Sequence, residues 1–158
     1  MPRYKSNKRA NAVKAGFASG FEQTIHKQLL EEGVTKEEIG YEESSFSLAL
    51  PSGRGYSCAD CGSKSILKAS KYTPDFFIGK EGNRDYIIET KGRFTALDRK
   101  KAVAITKQHP ELDYRMLFEY DNKLSKGAKS RYSTWCEKNG IKYAVRRVPE
   151  EWIKEVSK

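Results

Sequence analysis

Tyr72-Thr73-Pro74-Asp75-Phe76-Phe77-Ile78, then Gly79 to Asn83, then Asp85-Tyr86-Ile87-Ile88-Glu89-Thr90-Lys91 is the stretch that decides the fold. The flanks are rich in aromatic and β-branched residues and the middle in Gly and Asn. Residues 72–78 and 85–91 are therefore expected as strands, with 79–83 turning between them as a β-hairpin. With the turn centred on Glu81 and Gly82, Asp75 falls opposite Ile88 and within one position of Glu89. Lys91 stands two residues beyond Glu89, and side chains at i and i+2 share a face of a strand. Pro74 suits a strand start, and Gly92 lets another backbone or a phosphate come close.

Two neighbouring carboxylates repel each other unless a cation sits between them, and hard oxygen ligands of this kind suit Mg²⁺ or Mn²⁺. Such a metal binds a phosphodiester oxygen and lowers the pKa of a water, while Lys91 orients that water or offsets charge on the pentacovalent phosphate. Phosphodiester hydrolysis is the chemistry expected of this cluster. The plainer reading is a surface hairpin with one Glu–Lys cross-pair.

Outward from the hairpin, Phe17, Phe21, Ile25 and Leu29 recur every four residues, with Ser19 before and Gly33 after, which predicts an amphipathic helix over 19–32. Ser19-x-x-Glu22 has the form of a capping box. Residues 41–50 read as a strand, 96–108 as a helix, 113–120 as a strand, 130–138 as a helix ending at Gly140, and 141–148 as a strand, with Pro149 opening a short last helix. That order predicts an α/β fold, a mixed β-sheet flanked by helices. Residues 51–70 interrupt it as a long loop or insertion carrying Cys58 and Cys61. The expected organisation is a basic flexible arm over 1–16 and one domain over 17–158.

The chain has 158 residues, 37% apolar and 11% aromatic, which excludes a disordered chain and fits a single core. No apolar run approaches the roughly 20 residues of a membrane helix, and no signal peptide is evident, so a soluble protein inside a cell is expected. The net charge is +9. Arg3, Lys5, Lys8, Arg9 and Lys14 place five positive charges and no negative one in the first sixteen residues. Two readings stand for this arm, phosphate binding and simple solubilisation. Arg99, Lys100 and Lys101 open a helix where the dipole disfavours cations; a phosphate backbone entering the site is one reading and a solvated helix face the other. Three cysteines suit a reducing compartment. Cys58-x-x-Cys61 is half of a zinc knuckle, and zinc needs four ligands, with only Cys136, His26 and His109 left among Cys and His donors. Reduced thiols are expected and zinc is not; an intrachain zinc site and a four-cysteine site shared across a twofold are the other readings. His109, before Pro110, is expected to end a helix.

Longer matches surround the cluster. Pro74-Asp75 with Glu89-Thr90-Lys91 has the PD-(D/E)-x-K nuclease form. Together with Phe17-Ala18-Ser19-Gly20-Phe21-Glu22, Tyr72-Thr73-Pro74-Asp75-Phe76, Asp98-Arg99-Lys100-Lys101, Gln108-His109-Pro110-Glu111-Leu112-Asp113, Cys136 to Lys142 and Glu151-Trp152-Ile153-Lys154, it resembles the endonuclease I family of T-odd bacteriophages. The resemblance runs from about Gly16 to Glu155. It implies a restriction-endonuclease-like core in a domain-swapped homodimer, working in the cytoplasm of a host bacterium. The implied activity is cleavage of Holliday junctions and other branched DNA with Mg²⁺ or Mn²⁺. By resemblance Asp75, Glu89 and the backbone carbonyl of Thr90 would hold metal and Lys91 would be the catalytic lysine. Glu22 would be the remaining carboxylate, serving a second metal in its own site or in the partner chain's. Residues 51–70 depart from the family in length and cysteines. Two other functions fit the same residues: a sequence-specific or end-processing nuclease, and a basic nucleic-acid-binding module without catalysis.

Overall fold

The computed structural model describes residues 8–51 and 67–156. Its elements are helices α1 (Lys8–Lys14) and α2 (Gly20–Glu31), a single 3₁₀ turn at Lys36–Glu38, and strands β1 (Ile39–Tyr41), β2 (Phe46–Pro51), β3 (Leu67–Tyr72), β4 (Phe76–Lys80) and β5 (Asn83–Lys91). They continue with α3 (Ala96–Gln108), β6 (Tyr114–Phe118), α4 (Tyr132–Lys138), β7 (Lys142–Val145) and α5 (Glu150–Lys154). The main sheet has the order β1-β4-β5-β6-β7, antiparallel from β1 to β5 and parallel from β5 to β7. This is the mixed α/β sheet expected. No helix among the described residues is long and apolar enough to cross a membrane.

Both faces of the sheet are covered, because alternate residues of each strand are apolar on both sides. Phe76, Ile78, Tyr86, Ile88 and Leu117 pack with Ile25 and Leu29 of α2 and Trp152 of α5. Phe77, Ile87, Met116 and Phe118 pack on the other face with Ile105 of α3, Tyr132 and Cys136 of α4, and Leu48 and Tyr72 of the separate β2–β3 ribbon. Fully burying an Ile or Leu such as Ile25 or Leu29 stabilises by about 1.5–3 kcal/mol each. Arg115, 1% exposed, lies 3.8 Å from the Tyr86 ring centroid and pairs with Asp113 and Glu155, tying β6 to the C-terminal helix.

Two expected strands are each divided. Residues 41–50 split at Glu42, whose φ of 46° turns the chain out of the main sheet, so that β1 belongs to one sheet and β2 to the other. Residues 72–78 split at Thr73-Pro74-Asp75, where Pro74 has no N–H to give a ladder. Part of the arm expected to be flexible, Lys8–Lys14, is helical and buries Ala12. Arg3, Lys5, Cys58 and Cys61 lie outside the described residues. The expected strands 113–120 and 141–148 are shorter, ending at Phe118 and Val145. Gly79, at φ 114°, absorbs a register shift in the hairpin, and a Cβ there would lie 2.6 Å from the Asp85 nitrogen.

Candidate active site

The hairpin turns at Glu81 and Gly82 as expected, but the bulge at Gly79 moves the register by one, so that Phe76 rather than Asp75 stands opposite Ile88. The shift carries Asp75 to the far end of β5, beside Glu89 and Thr90. Thr90 donates to Asp75 Oδ2 from both its backbone N–H and its hydroxyl, each at 2.7 Å. Glu89 is 4% exposed, and its two oxygens are divided: Oε1 lies 2.6 Å from Lys91 Nζ and Oε2 accepts from the Tyr72 hydroxyl at 2.6 Å. Asp75, Glu89, Lys91, Tyr72, Thr73, Lys71, Asp98, Lys101, Tyr114 and Met116 line one cleft of about 190 Å³.

Three carboxylates and three lysines crowd this cleft. Burial, and then the Glu89 carboxylate, push the Asp75 pKa up to about 7 against the lowering effect of the Thr90 bonds. Glu22 adds a smaller push in the same direction. Burial works against the Lys91 ammonium, but Glu89, Asp75 and Asp98 more than offset it and hold its pKa above the ordinary lysine range. Lys91 is thus a fixed cation, suited to orienting a water or neutralising an oxyanion and unsuited to taking a proton. Tyr72 is held neutral by burial and by the charges around it. The donor set fits a hard divalent cation: two neighbouring carboxylates, Asp75 and Glu89, at the wall of a polar cleft with room for water.

Glu22 is placed differently. It sits in the first turn of α2, and its Oε1 accepts from the Ser19 hydroxyl at 2.7 Å while Oε2 accepts from the Ala18 N–H at 3.1 Å and the Tyr41 hydroxyl at 2.5 Å. Ser19 caps the helix by accepting from the Glu22 N–H, but the return bond of the box goes to Ala18 instead of Ser19. Among the described residues, no three Cys, His, Asp or Glu side chains converge as a metal-binding group. The structure unites Asp75, Glu89, Thr90 and Lys91; Glu22 lies outside the cleft lining in its own hydrogen bonds, yet near enough for its charge to act on Asp75.

The basic residues of α3 divide between two faces. Lys101 lines the cleft, whereas Arg99 and Lys100 face a separate groove with Val103, Lys107 and Trp135. Thr95 and Asp98 form a capping box at the start of α3, and Asp98 Oδ1 also lies 3.8 Å from Lys91 Nζ. Burial pushes the Cys136 thiol up to about 12, so it stays an apolar core group. His109 caps the end of α3, as expected. Sequence reading missed Tyr72, Lys71 and Asp98 as members of the site, and of the three cations expected near a phosphate it is Lys101 that lines the cleft. Tyr72 had a signal, since it is the residue before Thr73-Pro74-Asp75, but its reach to Glu89 depends on β3 leaving the sheet.

A model of the phage endonuclease I family matches residues 63–158. The chain is similar to Endonuclease I of Escherichia phage T7, 38% identical over 143 residues that cover 90% of this chain and 81% of that protein. It is also similar to Endodeoxyribonuclease 1 of Enterobacteria phage T3, 35% identical over 143 residues, covering 90% and 80%.

Proposed function

This chain belongs to the phage endonuclease I family, and we propose that it is a metal-dependent, structure-selective DNA endonuclease that resolves four-way junctions as a homodimer built on PD-(D/E)-x-K cores. The observation that carries the reading is the convergence of Asp75, Glu89 and Lys91 in one cleft beside Lys71 and Lys101. A module that only bound nucleic acid would gain nothing from two buried carboxylates beside a phosphate.

Asp75, Glu89 and the Thr90 carbonyl would hold Mg²⁺ or Mn²⁺, and Glu22 would supply a further carboxylate. When bound, such an ion supplies Lewis-acid activation of the phosphodiester and an acidified water. The chain's own residues do the rest. Lys91, kept protonated by Glu89, offsets charge at the phosphorus in the transition state. Lys71 and Lys101 hold the neighbouring phosphates. Thr90 fixes the Asp75 carboxylate and Tyr72 the Glu89 carboxylate. Lys14, Arg99 and Lys100 would meet phosphates in the arms of the DNA, and by their charge Arg3, Lys5, Lys8 and Arg9 are read as further phosphate contacts. No role for zinc is proposed.

An immobile four-way junction and a duplex of the same sequence test this, each incubated in Mg²⁺ and in EDTA with products read on a sequencing gel. Nicks near the branch in Mg²⁺ alone are expected, lost in Asp75→Asn. Cleavage in EDTA would overturn the metal, and equal cutting of the duplex would overturn the junction.

A further inference from the structure

The carboxyl ends of β5, β6 and β7 lie on one edge of the sheet, because Lys91 stands beside Phe118 and Phe118 beside Val145 in parallel register. Ligands of open α/β sheets bind outside this edge. The segments leaving it are basic. Between Asn122 and Arg131 the connection from β6 to α4 holds Lys123, Lys126, Lys129 and Arg131 and no acid. All four side chains are exposed, and none of them is in an ion pair among the described residues.

The connection is a built hairpin. Lys123 and Arg131 form an antiparallel bridge, Leu124 N–H donates to Ser130 O at 3.0 Å and Ala128 N–H to Ser125 O at 3.1 Å. At its base Asp121 accepts from the Ser133 N–H and hydroxyl, and Arg131 donates to the Asp121 carbonyl at 2.6 Å. Both ends are tied to the segment that carries the proposed catalytic lysine. Glu119 N–H donates to Lys91 O at 3.0 Å, and Phe94 N–H donates to the Tyr132 hydroxyl at 3.2 Å. Next to it, Arg146 follows β7 with φ 73°, exposed, and its guanidinium carbon lies 5.3 Å from the ring of Tyr120, itself 49% exposed. A backbone in this region is strained for a non-glycine residue. Fixing several unpaired like charges on a rigid hairpin is unfavourable until a polyanion meets them.

We propose that hairpin 119–131 and Arg146 form a second phosphate-binding surface, which grips a DNA backbone beyond the cleft on the carboxyl edge of the sheet. The proposal rests on the reading of the chain as a DNA endonuclease, and adds a surface distinct from the N-terminal arm and from Arg99 and Lys100. Its position fixes its role: anchored to Lys91 and Phe94, the hairpin holds DNA in register with the cleft without touching the scissile phosphate.

The test is the salt dependence of junction binding, measured in EDTA so that no cleavage intervenes. The triple variant K123Q/K126Q/K129Q should lower the slope of log K against log salt by about 0.9 for each phosphate no longer neutralised, up to roughly 3. A second variant, Arg146→Gly, keeps a residue at ease with positive φ and should lower the slope by about 1. The control K36Q/K80Q/K142Q removes the same charge from exposed sites on the opposite edge of the sheet and should change the slope less than the first triple. In Mg²⁺ the hairpin variant should raise KM for the junction with kcat retained. If the wild-type protein does not bind the junction, the endonuclease reading falls and the proposal with it. If the wild type binds but the hairpin triple keeps its slope, or the control lowers it equally, this surface alone is overturned.

Discussion

Glu22 closes the start of α2 with three hydrogen bonds, to Ala18, Ser19 and Tyr41, and the proposed role asks the same carboxylate to serve a metal. One substitution separates the two demands. Glutamine can present its oxygen to Ala18 and Tyr41 and its amide to the Ser19 hydroxyl, so Glu22→Gln should change stability by less than about 0.5 kcal/mol. Alanine loses all three bonds and should cost about 1–3 kcal/mol. If Glu22 serves the metal, Glu22→Gln should keep its melting temperature and junction binding while cleaving about 10- to 100-fold more slowly. Near-normal turnover would confine Glu22 to capping. Asp75 makes a second prediction. Its folded pKa of about 7 stands above the ordinary 3.8, so the metal-free fold takes up a proton there. The stability this provides is full below about pH 4 and is lost as pH rises to about 7, by at most about 4 kcal/mol. In EDTA the melting temperature of the wild type should therefore fall, relative to that of Asp75→Asn, across that window. Mg²⁺ should restore it at the upper end. A constant difference between the two proteins across the window would show that Asp75 does not titrate there.

Among the elements, α2, α3 and the β4–β5 hairpin were legible because each carries its own local signals. α2 has a four-residue apolar period and a serine cap, and the hairpin a Glu81–Gly82 turn between apolar runs; the Thr95–Asp98 box that opens α3 is a signal the sequence reading did not use. Asp75, Glu89 and Lys91 were legible for the same reason, since a hairpin brings its own two strands together. What stayed hidden depends on long-range placement. Residues 41–50 read as one alternating strand, yet a turn at Glu42 sends its halves to different sheets. Tyr72 reaches Glu89 only because the β2–β3 ribbon packs over the α3 face, pinned where the Gln108 side chain bonds both the N–H and the carbonyl of Ala49 at 2.8 Å. The sequence assigns Asp98 no role, and the turn of α3 that brings it to Lys91 has no mark there. The three cations at 99–101 read as one patch, whereas helical geometry points Lys101 into the cleft and the other two elsewhere.

At the scale of the whole molecule, junction resolution needs two nicks on opposed strands, and one cleft makes one. A homodimer is therefore expected at working concentrations, with twice the mass of the chain by sedimentation equilibrium. On a supercoiled plasmid with an extruded cruciform, paired cutting should yield linear product ahead of accumulated nicked circles; a monomer giving only nicked circles would refute the assembly. The sheet that carries the cleft is packed on both faces, and which face a side chain meets is a matter of odd and even. Asp75, Glu89 and Lys91 share their parity with Phe77 and Ile87, on the α3 side. A single residue gained or lost within β4 or β5, and not taken up by a bulge such as that at Gly79, would turn a carboxylate toward Ile25 and Leu29, where a charge has no partner. Heredity in this hairpin is thus arithmetic: substitutions can drift one at a time, while changes of strand length survive only in pairs or where the turn at Glu81 and Gly82 absorbs them.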